Sequence, residues 1–210
     1  MLLLTLALTL SQNAFAVEST SDANFTSYRI NSASNSVKNF VELKHRLPSY
    51  VRMDDSKVTM PQLLDLMTTN VQNINSGTTP SVSLENVERP TYNNENTKIG
   101  ILQKSEYLSL AQTIQTSIAS TGTAPPNVET SIGIIGFKNL VYTYSKILAF
   151  YKINNRLPNY VSVNPWPNSL GWTSLSSYTY HHQTTEYTCG PSVLKMALSS
   201  YNLTVSESWL

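Results

Sequence analysis

Apolar residues recur at intervals of three or four positions along much of the chain, and this spacing predicts helices. Helices are predicted at residues 34–44, 59–74, 105–118 and 137–151. The last of these has a wide apolar stripe on one face, formed by Phe137, Leu140, Val141, Tyr144, Ile147, Leu148 and Tyr151. Residues 77–98 lack this periodicity and contain Pro, Asn, Ser and Thr, so they are predicted to form an internal boundary.

Two nearly identical segments stop the first and the last of these helices. Arg-Leu-Pro-Ser-Tyr-Val occupies residues 46–51, and Arg-Leu-Pro-Asn-Tyr-Val occupies residues 156–161, which is 110 positions later. Proline pushes the preceding residue out of the α region and has no amide hydrogen to donate, so the helix ends and the Tyr-Val pair is predicted to be extended. A weaker copy, Ala-Pro-Pro-Asn-Val at residues 124–128, is offset by 77 positions from the first.

These three segments resemble the pseudomurein-binding repeat of methanogenic archaea, in which an aliphatic-Pro-Xaa-Tyr-Val stretch lies between short helices. Together with their flanking helices they cover roughly residues 24–165. The resemblance implies that the partner is the pseudomurein cell-wall polymer and that the protein lies in the cell wall or at the cell surface. The expected fold is mainly α, built from small repeated units of a helix, a Pro-stopped extended piece and a second helix.

The predicted organisation separates these units by polar linkers. An apolar run at residues 2–10, followed by Ala-Phe-Ala at residues 14–16, is typical of a secretory signal peptide, so secretion is predicted. In chain order we predict a signal peptide (1–16), a linker (17–33), repeat 1 (34–76), a linker (77–98), a degenerate repeat 2 (99–144), a partial repeat 3 (145–165), a connector (166–177) and a peptidase-like fragment (178–210).

The polar and aromatic side chains of the repeated segments are the candidates for polymer binding. A tyrosine ring has a flat face that can lie against a sugar ring, and an amide or hydroxyl can form hydrogen bonds with sugar or peptide groups. The candidate ligand-binding residues are Tyr50, Tyr160, Asn159, Arg46 and Arg156, with Asn127 in the weaker copy. The alternative is that the tyrosines are half-buried packing residues beside a helix stop.

Charge and hydropathy limit the other classes of partner. Only 13% of the residues are charged and the formal net charge is +1, which argues against a nucleic-acid site because such sites neutralise phosphates with many Lys and Arg residues. Beyond the predicted signal peptide no stretch is apolar and long enough to span a bilayer, so no membrane partner is predicted. The sequence indicates neither a metal site nor a cofactor, and it leaves the oligomeric state open.

A second motif surrounds the single cysteine, Cys189, which begins a predicted helix. The positive end of a helix stabilises a thiolate, so Cys189 is a candidate nucleophile. Gln183 is a candidate donor to an oxyanion. The stretch resembles the start of papain-like cysteine peptidases of the bacteriocin-leader-processing type. This resemblance implies a partial α+β fragment at residues 178–210.

The peptidase family also requires a histidine base and an Asp or Asn that orients it, both downstream of the cysteine. We expect both to be absent, since no histidine follows Cys189. His181 and His182 precede the cysteine and could serve only in an order unlike that of the family. The chain is therefore predicted to be a secreted wall-binding protein without peptidase activity. The alternative is a fragment of a wall-anchored cysteine peptidase whose catalytic His and Asp lie beyond residue 210.

Overall fold

The computed structural model describes residues 23–166. The described residues up to Asn164 belong to one compact unit, and only the first two residues of a second unit, which begins at Pro165, are described. The predicted signal peptide at residues 1–16 and the predicted peptidase-like fragment at residues 178–210 lie outside the described residues.

One plan, in which a strand leads directly into a helix and a second strand follows, occurs four times between residues 24 and 163. We call these stretches modules 1 to 4. Module 1 consists of β1 (Asn24–Phe25), α1 (Ser27–Lys44) and β2 (Tyr50–Met53), and module 2 consists of β3 (Ser56–Thr59), α2 (Met60–Asn75) and β4 (Val82–Ser83). The short strand β5 (Asn96–Thr97) comes next. Module 3 consists of β6 (Gly100–Gln103), α3 (Lys104–Thr121) and β7 (Asn127–Thr130), and module 4 consists of β8 (Gly133–Gly136), α4 (Phe137–Asn154) and β9 (Tyr160–Val163).

The prediction of a mainly α fold is wrong, because the described residues form an α+β structure. Four helices hold 49% of them and several small sheets hold 22%. The extended segment after each Leu-Pro was predicted, but its pairing was not. A strand of four residues is too short to show a clear alternation of apolar and polar positions. The partner of β9 is also remote, because two helices separate β9 from β6, whereas β2 pairs with the next strand, β3.

The strands pair reciprocally between modules 1 and 2, and again between modules 3 and 4. In the first half β2 pairs with β3 and β1 with β4, all antiparallel; in the second half β7 pairs with β8 and β6 with β9. The register is shared, because Tyr50 lies opposite Thr59 and Asn127 lies opposite Gly136, with 77 positions between corresponding residues. The offset that the sequence shows as one weak copy is therefore the offset between two structurally equivalent halves.

The helices pack mainly as two pairs, α1 with α4 and α2 with α3, and α2 also contacts α1 and α4. Buried positions correspond across the two halves, as in the pairs Ile30/Tyr107, Val37/Ile114, Val41/Ile118, Leu63/Leu140, Leu64/Val141 and Met67/Tyr144. Tyr144 is 1% exposed, and its hydroxyl donates to the carbonyl oxygen of Tyr107 at 2.7 Å. Burial raises the pKa of Tyr144 well above its ordinary value, so the phenol stays neutral inside the core.

The Pro-containing segments stop one helix and complete the start of another. Phe137, the first residue of α4, donates its amide to the carbonyl of Pro126 at 2.8 Å, and Lys104, the first residue of α3, donates its amide to the carbonyl of Asn159 at 2.8 Å. The first amides of a helix have no acceptor within that helix. In modules 3 and 4 the extended piece of one module therefore supplies an acceptor that the helix of the other lacks, and this links the two modules.

Helix α1 begins at Ser27, not at residue 34, and so occupies part of the predicted linker at residues 17–33. Its first turns bury polar side chains, among them Asn31. Asn70 of α2 donates from Nδ2 to Oδ1 of Asn31 at 2.9 Å. Buried polar side chains usually have such partners. Because polar residues lie at buried positions in these turns, the apolar spacing did not predict the beginning of the helix.

Candidate functional site

A cleft of about 490 Å³ opens between α1 and α4 and is bordered by β9. We call it the basic groove. Its volume lies in the range of pockets that hold small ligands, roughly 300–1,000 Å³. The lining residues are Asn35, Lys38, Lys146, Ala149, Phe150, Ile153, Asn154, Arg156, Pro158, Asn159, Tyr160, Val161 and Ser162. Module 4 supplies most of this surface, and α1 adds the first two residues.

The outer part of the groove exposes two large apolar side chains. Ile153, near the end of α4, is 80% exposed, and Tyr160, at the start of β9, is 57% exposed. Between them Asn155 adopts the left-handed conformation, with φ of 50°, which turns the chain at the end of the helix. The turn brings an aliphatic side chain and an aromatic ring to the same groove, where both remain available to a ligand.

The segment that carries Tyr160 is held by main-chain and side-chain hydrogen bonds. The buried hydroxyl of Tyr107 donates to the carbonyl of Pro158 at 2.7 Å, and the amide of Lys104 donates to the carbonyl of Asn159 at 2.8 Å. Tyr160 itself pairs with Gln103 in the β6–β9 ladder. These contacts fix the backbone on both sides of the exposed ring, so a ligand would meet a surface that is already ordered.

An arginine stacks on a phenylalanine in the wall of the groove. The guanidinium carbon of Arg156 lies 5.1 Å from the ring centroid of Phe150, within the range of a cation–π contact. The same contact occurs in module 1, where Arg46 lies 5.1 Å from the ring of Phe40. The two arginines therefore take the same local position in the two best copies of the repeat.

Lys146 extends from α4 into the groove. Its ammonium donates to the carbonyl of Ser162 and lies 4.6 Å from the ring centroid of Tyr142. Burial lowers the pKa of Lys146 to about 8; Glu42 opposes this change, and Lys38 adds to it. The groove thus contains a cation that the protein only partly compensates.

The charges around Lys146 come from α1. Lys38 forms an ion pair with Glu42, with 2.8 Å between Nζ and Oε2, and Tyr142 donates its hydroxyl to Oε1 of the same carboxylate at 3.2 Å. Burial, together with Glu42, raises the pKa of Tyr142 to about 12. Among the residues that line the groove there are three cations and no Asp or Glu. The groove therefore combines positive charge with amide groups and an apolar rim.

Residues 131–163 match the model of the pseudomurein-binding repeat. The repeat therefore coincides with module 4 and the turn before it, and it contains every residue that lines the basic groove except Asn35 and Lys38. It supports pseudomurein or cell-wall binding and suggests an association with the cell wall or the cell surface. No curated protein matches the chain.

Of the ligand-binding candidates, the structure brings Arg156, Asn159 and Tyr160 together in the groove formed by the pseudomurein-binding repeat. Arg46 and Tyr50 occupy the equivalent positions of module 1 and are not among the residues that line it. Tyr50 is 43% exposed, and Nζ of Lys57 lies 5.2 Å from its ring centroid. Module 1 thus presents a related surface that is separate from the basic groove.

The remaining candidates lie elsewhere. Asn127 is half-buried at the start of β7, where it pairs with Gly136. The candidate nucleophile and the oxyanion donor of the peptidase-like segment, together with its two nearby histidines, lie outside the described residues: Cys189, Gln183, His181 and His182.

Several lining residues were not among the candidates. The sequence contains a feature that could have identified Phe150. It aligns with Phe40 in the 110-position repeat, and each phenylalanine is followed six positions later by an arginine. No sequence feature identified Lys38 and Lys146 as lining residues. One lies on the first predicted helix and the other on the last, and only the packing of α1 against α4 brings them to one cleft.

A second groove, of about 350 Å³, lies at the equivalent place between α2 and α3. We call it the acidic groove. Thr69 takes the place of Lys146 and Gln115 takes the place of Lys38, each at the 77-position offset. The strands that border the two grooves are also equivalent. Val82 of β4 lies opposite Phe25, and Val161 of β9 lies opposite Leu102. The lining residues are Asp65, Thr69, Val82, Ser83, Glu85, Gln115, Ile118 and Ala119.

The acidic groove has the opposite charge. Gln115 donates from Nε2 to Oγ1 of Thr69 at 3.0 Å, so neutral groups meet where the basic groove has two lysines. Burial raises the pKa of Asp65 to about 6, and the nearby Glu85 adds to this shift. The same backbone arrangement therefore carries cations between α1 and α4 and carboxylates in the groove between α2 and α3.

Within residues 23–166, none of the helices combines the length and the apolar character that crossing a membrane requires. In the same part of the chain, no group of three His, Cys, Asp or Glu side chains is arranged to hold a metal ion.

Proposed function

We propose that this protein is a secreted pseudomurein-binding protein and that the basic groove is its binding site. The observation that carries the proposal is the convergence of three candidates from the repeated segment, Arg156, Asn159 and Tyr160, in one groove of the matched repeat. Secretion is supported by the apolar run and the Ala-Phe-Ala sequence at the start of the chain.

Different side chains of the groove make different contacts with a polar polymer. The exposed face of Tyr160 lies against a sugar ring, and the neighbouring Ile153 extends this apolar surface. The amides of Asn35, Asn154 and Asn159 exchange hydrogen bonds with hydroxyl, amide or acetamido groups. Because the loop that carries Tyr160 is already held, little conformational entropy is lost when the polymer binds.

Module 1 contributes a second, weaker contact. Arg46 stacks on Phe40 as Arg156 stacks on Phe150, and Tyr50 is exposed at the start of β2 as Tyr160 is at the start of β9. A repetitive polymer can meet both surfaces of one molecule. Two weak contacts on one chain raise the apparent affinity well above that of either contact.

Sedimentation of the full chain with purified pseudomurein tests the proposal. We expect retention on pseudomurein and little retention on cellulose, and we expect Tyr160→Ala to lower the affinity by about tenfold or more, the loss typical of an exposed aromatic anchor. Ser81→Ala is the matched control, because Ser81 precedes Val82 as Tyr160 precedes Val161. Equal retention on both polymers, or equal behaviour of the two variants, contradicts the proposal.

A second proposal, for a separate part of the chain, is that residues 178–210 are peptidase-like, with Cys189 as nucleophile and Gln183 as oxyanion donor. It is supported by the Cys-Gly-Pro sequence that begins a predicted helix. Labelling with iodoacetamide, with Cys189→Ser as control, tests the reactivity of the thiol. We expect alkylation of the 210-residue chain without release of wall peptides, since peptide cleavage also needs a positioned acid. Release of peptides that depends on Cys189 contradicts this expectation.

A further inference from the structure

We propose that the basic groove recognises a carboxylate group carried by the wall polymer, and that Lys146 and Lys38 are the residues that bind it. The inference rests on the proposed function of the groove and names the chemistry of its ligand. The pseudomurein-binding repeat supplies Lys146, whereas Lys38 comes from α1, outside the matched residues.

Lys146 has donors left for a ligand. An ammonium has three N–H donors. One of them is taken by the carbonyl of Ser162, and the ring of Tyr142 covers part of the charge without accepting a conventional hydrogen bond. The ammonium lines the open groove, so the remaining donors can reach a ligand there. A carboxylate, with two acceptor oxygens, matches these donors in charge and number.

The protein only partly neutralises the charge of the groove. Glu42 is the carboxylate that stabilises the charged form of Lys146, and it is already engaged by Lys38 at 2.8 Å and by the hydroxyl of Tyr142 at 3.2 Å. Arg156 adds a third cation to the lining. The lowered pKa of Lys146, about 8, fits this arrangement, because burial outweighs the attraction of Glu42. A bound carboxylate would supply the missing compensation.

The acidic groove indicates that the lysines are not needed for the fold. At the two equivalent positions it has Thr69 and Gln115, which hydrogen-bond to each other, around a similarly buried helix pair. Asp65 and Glu85 would repel a carboxylate from that groove. Since α2 and α3 form the same structure without cations, the lysine pair between α1 and α4 is free to serve recognition.

A carboxylate of the wall can be part of an acidic sugar or part of a wall peptide. Two soluble probes distinguish these sources: a hyaluronan tetrasaccharide, which has sugar carboxylates, and an acetylated glutamate-containing tripeptide. Chitotetraose, a neutral oligosaccharide, is the uncharged comparison. Calorimetry with the full chain is expected to detect one of the acidic probes and to show weaker binding of chitotetraose.

The decisive variant replaces both lysines by the residues that the chain itself uses in the acidic groove, Lys38→Gln with Lys146→Thr. We expect it to fold and to bind the acidic probe about ten- to a hundredfold more weakly, the loss expected for charge-assisted hydrogen bonds. Gln115→Ala is the matched control and should bind normally. Amidation of the carboxylates of purified pseudomurein should weaken retention of the unaltered protein and have little further effect on the variant.

The pH dependence gives an independent readout. Lys146 faces Lys38 and Glu42 of α1, Tyr142 of its own helix and the carbonyl of Ser162 in β9. Binding of the acidic probe should weaken as the pH rises through about 8, because Lys146 then loses its proton. Lys146→Arg, which keeps its charge over this range, should remove the dependence.

The outcomes separate this inference from the proposed function. If Tyr160→Ala weakens retention on pseudomurein while the lysine double variant and amidation do not, the groove binds the polymer but not through a carboxylate. If Tyr160→Ala also has no effect, the proposed function itself is wrong. Equal affinity of the unaltered protein for chitotetraose and for the acidic probes overturns the inference alone.

Discussion

The basic groove between α1 and α4 and the acidic groove between α2 and α3 occupy equivalent places at the 77-position offset, yet they carry opposite charges. Lys38 and Lys146 line the one, whereas Asp65 and Glu85 line the other. The buried residues beneath them are apolar in both halves, as in Val37 and its counterpart in α3. The comparison shows that equivalent buried positions keep apolar residues because they pack in the core. The side chains that line a groove can differ in charge on the same backbone.

The two grooves also differ in how pH affects stability. The folded-state pKa of Asp65 is raised to about 6 from its usual 3.8, so the folded protein binds more protons than the unfolded chain between these values and loses stability as the pH rises across them. The pKa of Lys146 is lowered to about 8 from 10.5, so the folded protein binds fewer protons in that window. Its contribution to stability therefore rises with pH between about 8 and 10.5.

The largest expected effect comes from a change that breaks the core shared by both grooves. Tyr144 is 1% exposed and corresponds to Met67 of the other half. Tyr144→Asp introduces a carboxyl without a partner and removes a ring, so it should lower the free energy of unfolding by about 3–5 kcal/mol. Urea unfolding at pH 7 measures this loss.

Tyr144→Phe is the control for this prediction. It keeps the ring and removes only the hydrogen bond from the hydroxyl to the carbonyl of Tyr107, so a loss of about 1 kcal/mol is expected. Hydrogen exchange of the unaltered protein adds a second check, because residues 137–151 should be the best protected. Opening of this helix as readily as residues 78–98 would show that the core is organised differently.

A smaller effect is expected in the acidic groove, and it has the opposite sign. Asp65→Asn removes a buried carboxylate that is ionised at pH 7, so the variant should be more stable by about 1–2 kcal/mol there. Below pH 4 Asp65 is protonated and the two proteins should be equally stable. Measurements of unfolding at both pH values test this.

Glu85→Gln sharpens the interpretation of the Asp65 variant. Burial is the first cause of the raised pKa of Asp65 and Glu85 is the second, so Glu85→Gln should stabilise the protein less than Asp65→Asn does. Equal effects would mean that repulsion between the two carboxylates, and not burial, dominates. A stabilisation by Asp65→Asn that persists below pH 4 would have a cause other than its charge.

The next prediction compares the two modules that carry the full Arg-Leu-Pro-Xaa-Tyr-Val segment. Tyr50 lies outside the basic groove, and its ring is contacted by Lys57, so Tyr50→Ala should weaken retention on pseudomurein by only about 1 kcal/mol, less than Tyr160→Ala. Sedimentation with both single variants and the double variant measures the ranking. A loss for Tyr50→Ala that equals or exceeds the loss for Tyr160→Ala would place the main site in module 1.

The smallest expected effect concerns the stacked arginines. Arg156→Lys keeps the charge but loses the planar group that stacks on Phe150, which should lower the free energy of unfolding by about 0.5–1 kcal/mol. Arg46→Lys should have the same effect in module 1, because Arg46 lies at the same distance from Phe40. Thermal unfolding of the two variants compares them. A clear difference between them would mean that the modules are less equivalent than their geometry indicates.

Much of the local structure follows from the sequence alone. The apolar spacing predicts the course of all four helices among the described residues, because each helix buries one face against the others. The Leu-Pro pairs predict where α1 and α4 end, because proline disrupts a helix through its own covalent geometry. Repetition of the segment also identified Tyr160, Asn159 and Arg156 as candidates. These features depend on residues that are close together in the chain.

The tertiary structure decided which distant strands pair and which side chains share a groove. The sequence predicts that the segment at Tyr160 is extended. Its partner β6, however, is separated from it along the chain by α3 and α4. Lys38 and Lys146 likewise meet only because α1 packs against α4. Local propensity and apolar spacing act over a few residues, whereas the contacts that form the groove are chosen by burial of the whole core.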